Sequence, residues 1–375
     1  MRYKATRPAV TTGFGTLPNK AMQLTQARCT TELYHSHWSV RIEIPRIHTV
    51  WLFCMTSECV FIRLKKNSCL QYQIFRLHMT WWSHMKYPML LFVACFVATT
   101  LYAETNPSPD QSIAYKETPQ GTLFLHAFYP ENWKPTDTRP AVVFFFGGGW
   151  NSGSYTQFSR HAEYLASRGM VAFCADYRVN KKHKTEPKVC VSDGKSAVRW
   201  IRSHANDLGV DPNKIIAGGG SAGGHVAAAT ATITAFDEDG DDSSISPRPQ
   251  ALILFNPVID NSKNGYGHNR VEPYWKQFSP LHNIKAGIPP TIFICGTKDK
   301  LIPVETGEQF REKIENVGGR CDLVWYENQS HGFFNEMYEE TMHDVDQFLV
   351  SLGYLSGPAT LMQSENVDEK TLSNN

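Results

Sequence analysis

The segment Lys214-Ile215-Ile216-Ala217 is apolar and β-prone. It runs into Gly219-Gly220-Ser221-Ala222-Gly223, and the chain leaves through the Ala-rich His225-Val226-Ala227-Ala228-Ala229. This passage constrains the fold more than any other. A strand that turns directly into a helix places the residue at its apex in a strained conformation, which only small neighbours accommodate. The serine hydroxyl then stands above the edge of a sheet, at the N-terminus of a helix.

The surrounding sequence supplies that sheet. Residues 121–128 and 141–146 read as strands, the second a continuous apolar run of the kind buried on both faces. A helix over 158–168 closes at Gly169, and 170–174 is again a buried strand. A longer helix is expected from about Val191 to Leu208, with Ala197, Trp200, Ile201 and His204 at helical spacing. Beyond the serine turn, strands are expected at 251–255, 291–295 and 322–326, and helices at 303–317 and 341–352. Strands alternating with helices predict an α/β fold: a mostly parallel central sheet with helices on both faces, in one domain over residues 104–355. Residues 356–375 are polar and read as a loose tail. The stretch from Asp260 to Ile284 breaks the alternation with Gly, Asn, Tyr and Trp, and is read as a small cap or rim insertion. Asp237-Glu238-Asp239-Gly240-Asp241-Asp242 lacks the calcium-loop spacing and is expected to be a solvated acidic loop.

The first 84 residues carry 11 Lys/Arg against 3 acidic residues, and the chain after residue 103 carries 25 against 33. An acidic body argues against nucleic acid or an anionic membrane surface as partner. No sustained period marks residues 1–84 as a domain, and they are expected to be a non-native extension or disordered. Cys29, Cys54, Cys59 and Cys69 contain no C-x2-C pair, and His35 and His37 are too close for the usual ligand spacing, so no metal site is read there. Met85-Lys86 followed by an apolar run from Met89 through Ala98, and then by Leu101-Tyr102-Ala103, reads as a signal peptide over 85–103. It is too short to span a bilayer. Export to a periplasmic or extracellular setting follows as an expectation, with no stable membrane insertion after cleavage. The body's Cys174, Cys190, Cys295 and Cys321 then allow three full disulfide pairings, or buried free thiols.

A serine hydroxyl needs a base to take its proton, and the base needs a partner to hold its tautomer. Ser221 is the nucleophile candidate. His331, in Gln329-Ser330-His331-Gly332, follows the last expected strand, and Asp299, in Gly296-Thr297-Lys298-Asp299, follows the strand ending at Cys295. All three fall at the carboxyl edge of the sheet, where open α/β sheets place their sites. Phe146-Gly147-Gly148-Gly149-Trp150 follows an early strand, and the backbone N–H groups of Gly148 and Gly149, with that of Ala222, would form an oxyanion hole. His225, one turn past Ser221, reads as a packing residue of the helix. Asp176 and Arg178 are expected to pair with each other, Asp193 to start a helix and Asp211 to make a turn. Gly218-x-Gly220-x-x-Gly223 matches a dinucleotide fingerprint but lies deep in the strand order, so no cofactor is expected.

With these residues in view, the chain resembles α/β-hydrolases of the esterase/lipase kind. It is similar to hormone-sensitive-lipase-like esterases and, closer, to bacterial exported acetyl-xylan and feruloyl esterase-like hydrolases. The carrying segments are Phe146 to Trp150, Asp176-Tyr177-Arg178-Val179, Gly219 to His225, Gly296 to Asp299 and Ser330-His331-Gly332-Phe333. The resemblance implies hydrolysis of carboxylic esters, of small-molecule or polysaccharide substrates, through an acyl-enzyme. It departs in one place: the family loop opens with His, and Phe146 stands there. Trp150, Asn256, Tyr266, Trp275 and Phe334 are candidate pocket residues, and Tyr274 is a further ring on the same insertion. The alternatives are a prolyl-oligopeptidase-like serine peptidase, a lipase, and a non-catalytic binding protein on the same fold. The peptidase would bring a large N-terminal domain, the lipase long apolar cap helices, and the binding protein would lack a member of the triad.

Overall fold

The computed structural model describes residues 106–361 and, as backbone, the strands between residues 28 and 78. The chain divides into two compact units, Met1–Ala103 and Glu104–Asn375.

In the first unit, β1 (Arg28–Tyr34), β2 (His37–Ile44), β3 (Ile47–Met55), β4 (Glu58–Ile62) and β5 (Phe75–His78) pair in chain order as an antiparallel sheet. The reading of residues 1–84 as lacking any element is corrected here. The signal was present: Trp38, Val40, Ile42 and Ile44 alternate with polar residues over eight positions, the period of a strand. The side chains of Cys29, Cys54, Cys59, Cys69, His35 and His37, and the expected signal segment 85–103, lie outside the described residues.

The second unit is built on eight strands. They are β6 (Gln111–Lys116), β7 (Leu123–Phe128), β8 (Arg139–Phe145), β9 (Val171–Ala175), β10 (Val210–Gly220), β11 (Ala251–Phe255), β12 (Thr291–Gly296) and β13 (Cys321–Tyr326). Their order across the sheet is β13-β12-β11-β10-β8-β9-β7-β6. β8 to β13 pair parallel to one another, and β7 runs antiparallel to both β9 and β6. β6 is an edge strand that the sequence pattern did not mark, and four of its six residues carry polar side chains.

The helices are α1 (Ser159–Ser167), α2 (Pro187–Ser203), α3 (Ala222–Thr232), α4 (Val304–Asn316) and α5 (Tyr338–Ser351). The strand period of two sorts side chains to two cores. Val143, Phe145, Leu252, Leu254 and Phe293 face the core shared with α2, α3 and α4. Val142, Phe144, Ile253 and Ile292 face the core shared with α1 and α5. Each fully buried ring or branched side chain contributes about 1.5–3 kcal/mol, so both layers are strongly held. This is the α/β-hydrolase architecture.

Boundaries moved where local chemistry outweighed periodicity. α2 begins at Pro187, at home in a helix's first turn, and ends at Ser203, so the expected Val191–Leu208 helix sits four residues early. Asp193 is therefore inside the helix and does not start it. It is fully buried and holds Arg178, with Oδ1 2.7 Å from Nη2 and Oδ2 2.9 Å from Nε, while Lys116 Nζ lies 2.7 Å from Oδ1. The expected Asp176–Arg178 pair is thus corrected: Asp176 instead lies 3.3 Å from His126 Nε2. The chain leaves the strand after Ala175, so alternation no longer fixes these side chains: Asp176 stays beside His126 of β7, while Arg178 is drawn to Asp193 of α2 and Glu238 of the acidic loop. Asp211 does make its turn, accepting from Asn213 N–H at 2.9 Å.

The acidic loop is also corrected from free solvation to docking. Asp237 bridges Arg199 (2.6 Å) and Lys195 (3.2 Å), Glu238 bridges Arg178 (2.9 Å) and Lys116 (3.0 Å), and Asp241 meets Arg199 and Ser196. Lys195 and Arg199 of α2 supply the opposite charges for Asp237 and Asp241, and Lys116 of β6 and Arg178 supply those for Glu238. The Asp260–Ile284 insertion is a chain of short helical turns, His268–Val271, Glu272–Tyr274, Trp275–Phe278 and Pro280–His282. At the far end, Arg168 donates to the carbonyls of Ser356 (3.1 Å) and Gly357 (3.2 Å), so the start of the expected tail is tied to α1. Residues 362–375 lie outside the described residues. Cys174, Cys190, Cys295 and Cys321 are all buried free thiols.

Candidate active site

β10 enters the site at Gly220, and α3 leaves it at Ala222. Ser221 between them has φ +54° and ψ −120°, a conformation that costs a side-chain-bearing residue of order 1–3 kcal/mol. The flanking glycines allow it. A Cβ on Gly219 would stand 2.5 Å from Phe145 O, and one on Gly223 2.0 Å from the same atom. The turn therefore packs backbone against backbone, and the Gly-x-Ser-x-Gly spacing is a steric requirement of this crossing. Ser221 N–H is spent on Phe255 O at 3.0 Å, which fixes the apex to β11.

His331 and Asp299 reach this point from the ends of β13 and β12. Thr297 N–H donates to Tyr326 O (3.0 Å) and Lys298 N–H to Gln329 O (2.9 Å), lacing the two loops together. His331 Nε2 lies 2.9 Å from Ser221 Oγ, and Nδ1 lies 2.7 Å from Asp299 Oδ2. The Asp299 side chain is fully buried. Its Oδ1 accepts from the backbone N–H groups of Leu301 (2.8 Å) and Ile302 (3.0 Å), leaving Oδ2 aimed at the imidazole. With Asp299 accepting at Nδ1, the neutral ring carries its proton there and offers the Nε2 lone pair to the serine. Asn256 Nδ2 is 3.4 Å from both ring nitrogens, so its amide packs against the imidazole without singling out either one.

Beside Ser221 runs the glycine loop after β8. Gly148 (φ +122°), Gly149 (φ +63°) and Trp150 (φ +56°) turn its backbone through the left-handed region. Among the described residues, no acceptor takes the N–H of Gly148 or Gly149. The opening position, where Phe146 replaces the expected His, is held differently. Tyr177 Oη donates to Phe146 O at 2.5 Å and its ring stacks on Phe146 at 4.1 Å, while Gly147 N–H donates to Gln157 Oε1 at 2.5 Å. At the other end, Arg270 Nη1 donates to Gly149 O at 2.6 Å. This arrangement supplies a hydroxyl, a base, an orienting carboxylate and free backbone donors around one point, the set that acyl transfer requires.

The BD-FAE family model matches residues 125–314, which include the glycine loop, Ser221 and Asp299. The chain belongs to the BD-FAE family. His331 lies beyond the matched residues, and the fold is what brings it to Ser221. A solved structure similar to this BD-FAE chain is esterase 2 of Thermogutta terrifontis, at 45% identity and a TM-score of 0.65, covering 68% of this chain and 99% of that one. Among curated proteins, a probable isoprenylcysteine alpha-carbonyl methylesterase of Arabidopsis thaliana is 27% identical over 67% of this chain and 58% of its own length. An acetylxylan esterase of Xylanibacter ruminicola is 27% identical over 62% of this chain and 49% of its own. The chain thus spans about half the length of the curated relatives it matches.

Several expected pocket rings of the BD-FAE domain are placed elsewhere. Trp150 is 1% exposed, set edge-on to His225 and Phe278, and offers no face to a substrate. Phe334 is equally buried, stacked on Phe158 beneath Gly220. Both are candidate pocket residues on sequence, but fully burying such rings outweighs leaving them in water. Asn256 is buried against His331. Tyr266 is half-buried, with its hydroxyl beside Gly149, and Arg270 lies over both Tyr266 and Trp150. Trp275 is half-buried and packs toward His268 and His282, and Tyr274 toward Phe236. His225 is fully buried with Nε2 2.8 Å from Phe278 O; burial pushes its pKa down to about 3, against a smaller upward pull from that bond.

The open space beside the glycine loop is a polar cleft of about 380 Å³ lined by Gly147, Gly148, Ser154, Thr156, Gln157 and Asn335. Sequence reading missed Ser154, Thr156 and Gln157. The available signal was the short polar run after Gly153, in which Ser154 caps a helical turn over Tyr155–Phe158. A second cavity of about 360 Å³, lined by Lys195, Arg199, Arg248 and Lys285 among others, contains no triad residue.

Proposed function

We propose that this chain is a carboxylic ester hydrolase working through an acyl-enzyme on Ser221. The observation that carries the reading is His331, bonded at one nitrogen to Ser221 Oγ and at the other to Asp299 Oδ2. Ser221 Oγ attacks the ester carbonyl as its proton passes to His331 Nε2, and the carbonyl oxygen takes the negative charge into the N–H groups of Gly148, Gly149 and Ala222. Collapse breaks the bond to the alcohol, which leaves with the proton from His331. Water then attacks the acyl-enzyme, giving its proton to His331, and the bond to Ser221 Oγ breaks as His331 returns that proton to it, releasing the acid. A fluorophosphonate that labels the wild type and not Ser221→Ala supports this reading. Full labelling of Ser221→Ala overturns it.

The substrate class within this reading is short acyl groups, acetyl first and feruloyl second, on carbohydrate alcohols. The hydroxyl- and amide-lined cleft beside the glycine loop favours a hydrogen-bonding partner over a long alkyl chain. The relatives named as an acetylxylan esterase and, in solved form, as an esterase with propionate bound point the same way. Export is part of the proposal, supported by the signal-like segment 85–103. p-Nitrophenyl esters of two to sixteen carbons, run beside acetylated xylan and methyl ferulate, test the class. A peak of kcat/KM on long chains, with nothing on sugar esters, would replace it with a lipase, and peptide cleavage with negligible esterolysis would replace it with a peptidase.

A further inference from the structure

We propose that Gln157 is a positioning residue of the oxyanion hole, an inference that rests on the esterase reading of Ser221. The hole depends on where the Gly148 and Gly149 N–H groups point, and these belong to a stretch with little intrinsic stiffness. Glycine crosses between left- and right-handed backbone at small cost, so the aim of its N–H must be imposed from outside. The peptide that feeds the stretch, Phe146–Gly147, is held at both of its polar groups. Its carbonyl takes the Tyr177 hydroxyl, and its N–H is taken by Gln157 Oε1, each at 2.5 Å. Acting from opposite sides, these two bonds set the plane of that peptide and hence the direction in which the next two enter the site.

Gln157 is itself on a firm support. It sits in the helical turn Tyr155–Phe158, which Ser154 caps at its start. Tyr155 stacks on His126 at 3.6 Å, and Phe158 is buried against Phe144 and Phe334. The carboxamide is also close to the reacting atoms: a Cβ built on Gly147 would lie 3.3 Å from Ser221 Cβ and 3.4 Å from Gln157 Oε1. A side chain in that place can set the glycine loop without occupying the triad.

The bond matters most when charge develops. In the ground state the ester carbonyl draws weakly on the hole, whereas the tetrahedral oxyanion draws on it fully, so a misaimed hole lowers kcat more than it raises KM. Loss of one oxyanion donor costs roughly 10²–10³ in kcat, and a loop left slack should cost less, roughly 10–100-fold.

The test compares wild type, Ser221→Ala and Gln157→Leu on p-nitrophenyl acetate, with a trifluoromethyl ketone as inhibitor and Tm as a stability readout. The ketone forms a hemiketal oxyanion with the serine, so its affinity reports the hole directly. For Gln157→Leu, the expected result is a roughly 10–100-fold lower kcat, a nearly unchanged KM and a matching loss of ketone affinity. Gln157→Asn keeps the carboxamide but draws it back by one methylene, and should show the same pattern should the leucine variant fail to fold. Unchanged kcat and ketone affinity in a folded variant would overturn the inference. So would a loss shared equally by KM, kcat and Tm, the pattern of a merely structural brace. An inert wild type would instead remove the esterase reading itself, whereas an active wild type beside an unaffected Gln157 variant would remove only the role of Gln157.

Discussion

Cys295 Sγ lies 3.7 Å from Asp299 Oδ2, the same oxygen that receives His331 Nδ1 at 2.7 Å. Burial first, and the Asp299 charge second, push the Cys295 thiol well above its ordinary range, so it stays protonated and donates to the carboxylate. The buried acid of the triad is thus surrounded by donors: two backbone N–H groups on Oδ1, and an imidazole and a thiol on Oδ2.

These donors are not equivalent, and their removal should show it. Asp299→Asn should lower kcat by about 10⁴ by presenting the wrong tautomer of His331 to Ser221. Cys295→Ala should cost only about 1 kcal/mol of stability and far less activity, because a thiol is a weak donor and the backbone bonds remain. Steady-state kinetics and thermal melts of the two variants check the ranking. An equal loss of kcat in both would give Cys295 a larger role than its geometry supports.

Two buried histidines should set an acid limit on stability. His161 and His225 are both pushed down to about 3, His161 by burial and then by the nearby Arg160 charge, His225 by burial. The unfolded chain takes up these protons near pH 6.5 while the folded chain refuses them until about pH 3. Stability is therefore complete above about pH 6.5 and falls through that window as the pH drops, by about 1.4 kcal/mol per pH unit for each group. His161→Phe, in a site already walled by Phe144, Phe158, Phe255 and Phe334, should flatten the fall in a series of urea melts from pH 7 to 4. An unchanged slope would mean that His161 does not stay neutral in the fold.

The Asp193–Arg178 pair predicts a large stability loss with an intact triad. Removing one partner of a buried pair strands the other charge, typically at 3–5 kcal/mol. Asp193→Ala should cost about that much in a denaturant titration, since Arg178 and Lys116 both bond to its carboxylate. Asp237→Ala, whose acid is nearly half exposed, should cost at most about 1 kcal/mol. The reverse ranking would show that the acidic loop, and not α2, anchors this network.

Much of the site was legible in the sequence for local reasons. The Gly219–Gly223 turn reads directly because its glycines answer clashes with backbone a few ångströms away, and such clashes depend on Cβ atoms alone. Strand ends at Cys295 and Tyr326 put Asp299 and His331 on the right edge, because the period of an α/β sheet is written along the chain. The edge strand β6 was hidden by its polar residues, and the start of α2 by a proline that periodicity ignores.

Sequence by itself determined the fold class, the order of Ser221, Asp299 and His331, and the glycines that admit the turn. Those depend on hydrophobic period and on the glycine pattern of a strand-to-helix turn, both of which are written within a few residues of sequence even where the atoms that the glycines clear, such as Phe145 O, belong to another strand. Tertiary structure alone decided the partners. Arg178 takes Asp193 and Glu238 in preference to its near neighbour Asp176, Trp150 and Phe334 go into the core, four cysteines stay unpaired, and Gln157 takes the first glycine's N–H in a loop that opens with Phe146. A hydrogen bond or ion pair is worth making only at a fixed distance and angle, and residues far apart in the chain acquire those only once the sheet has set its strands side by side.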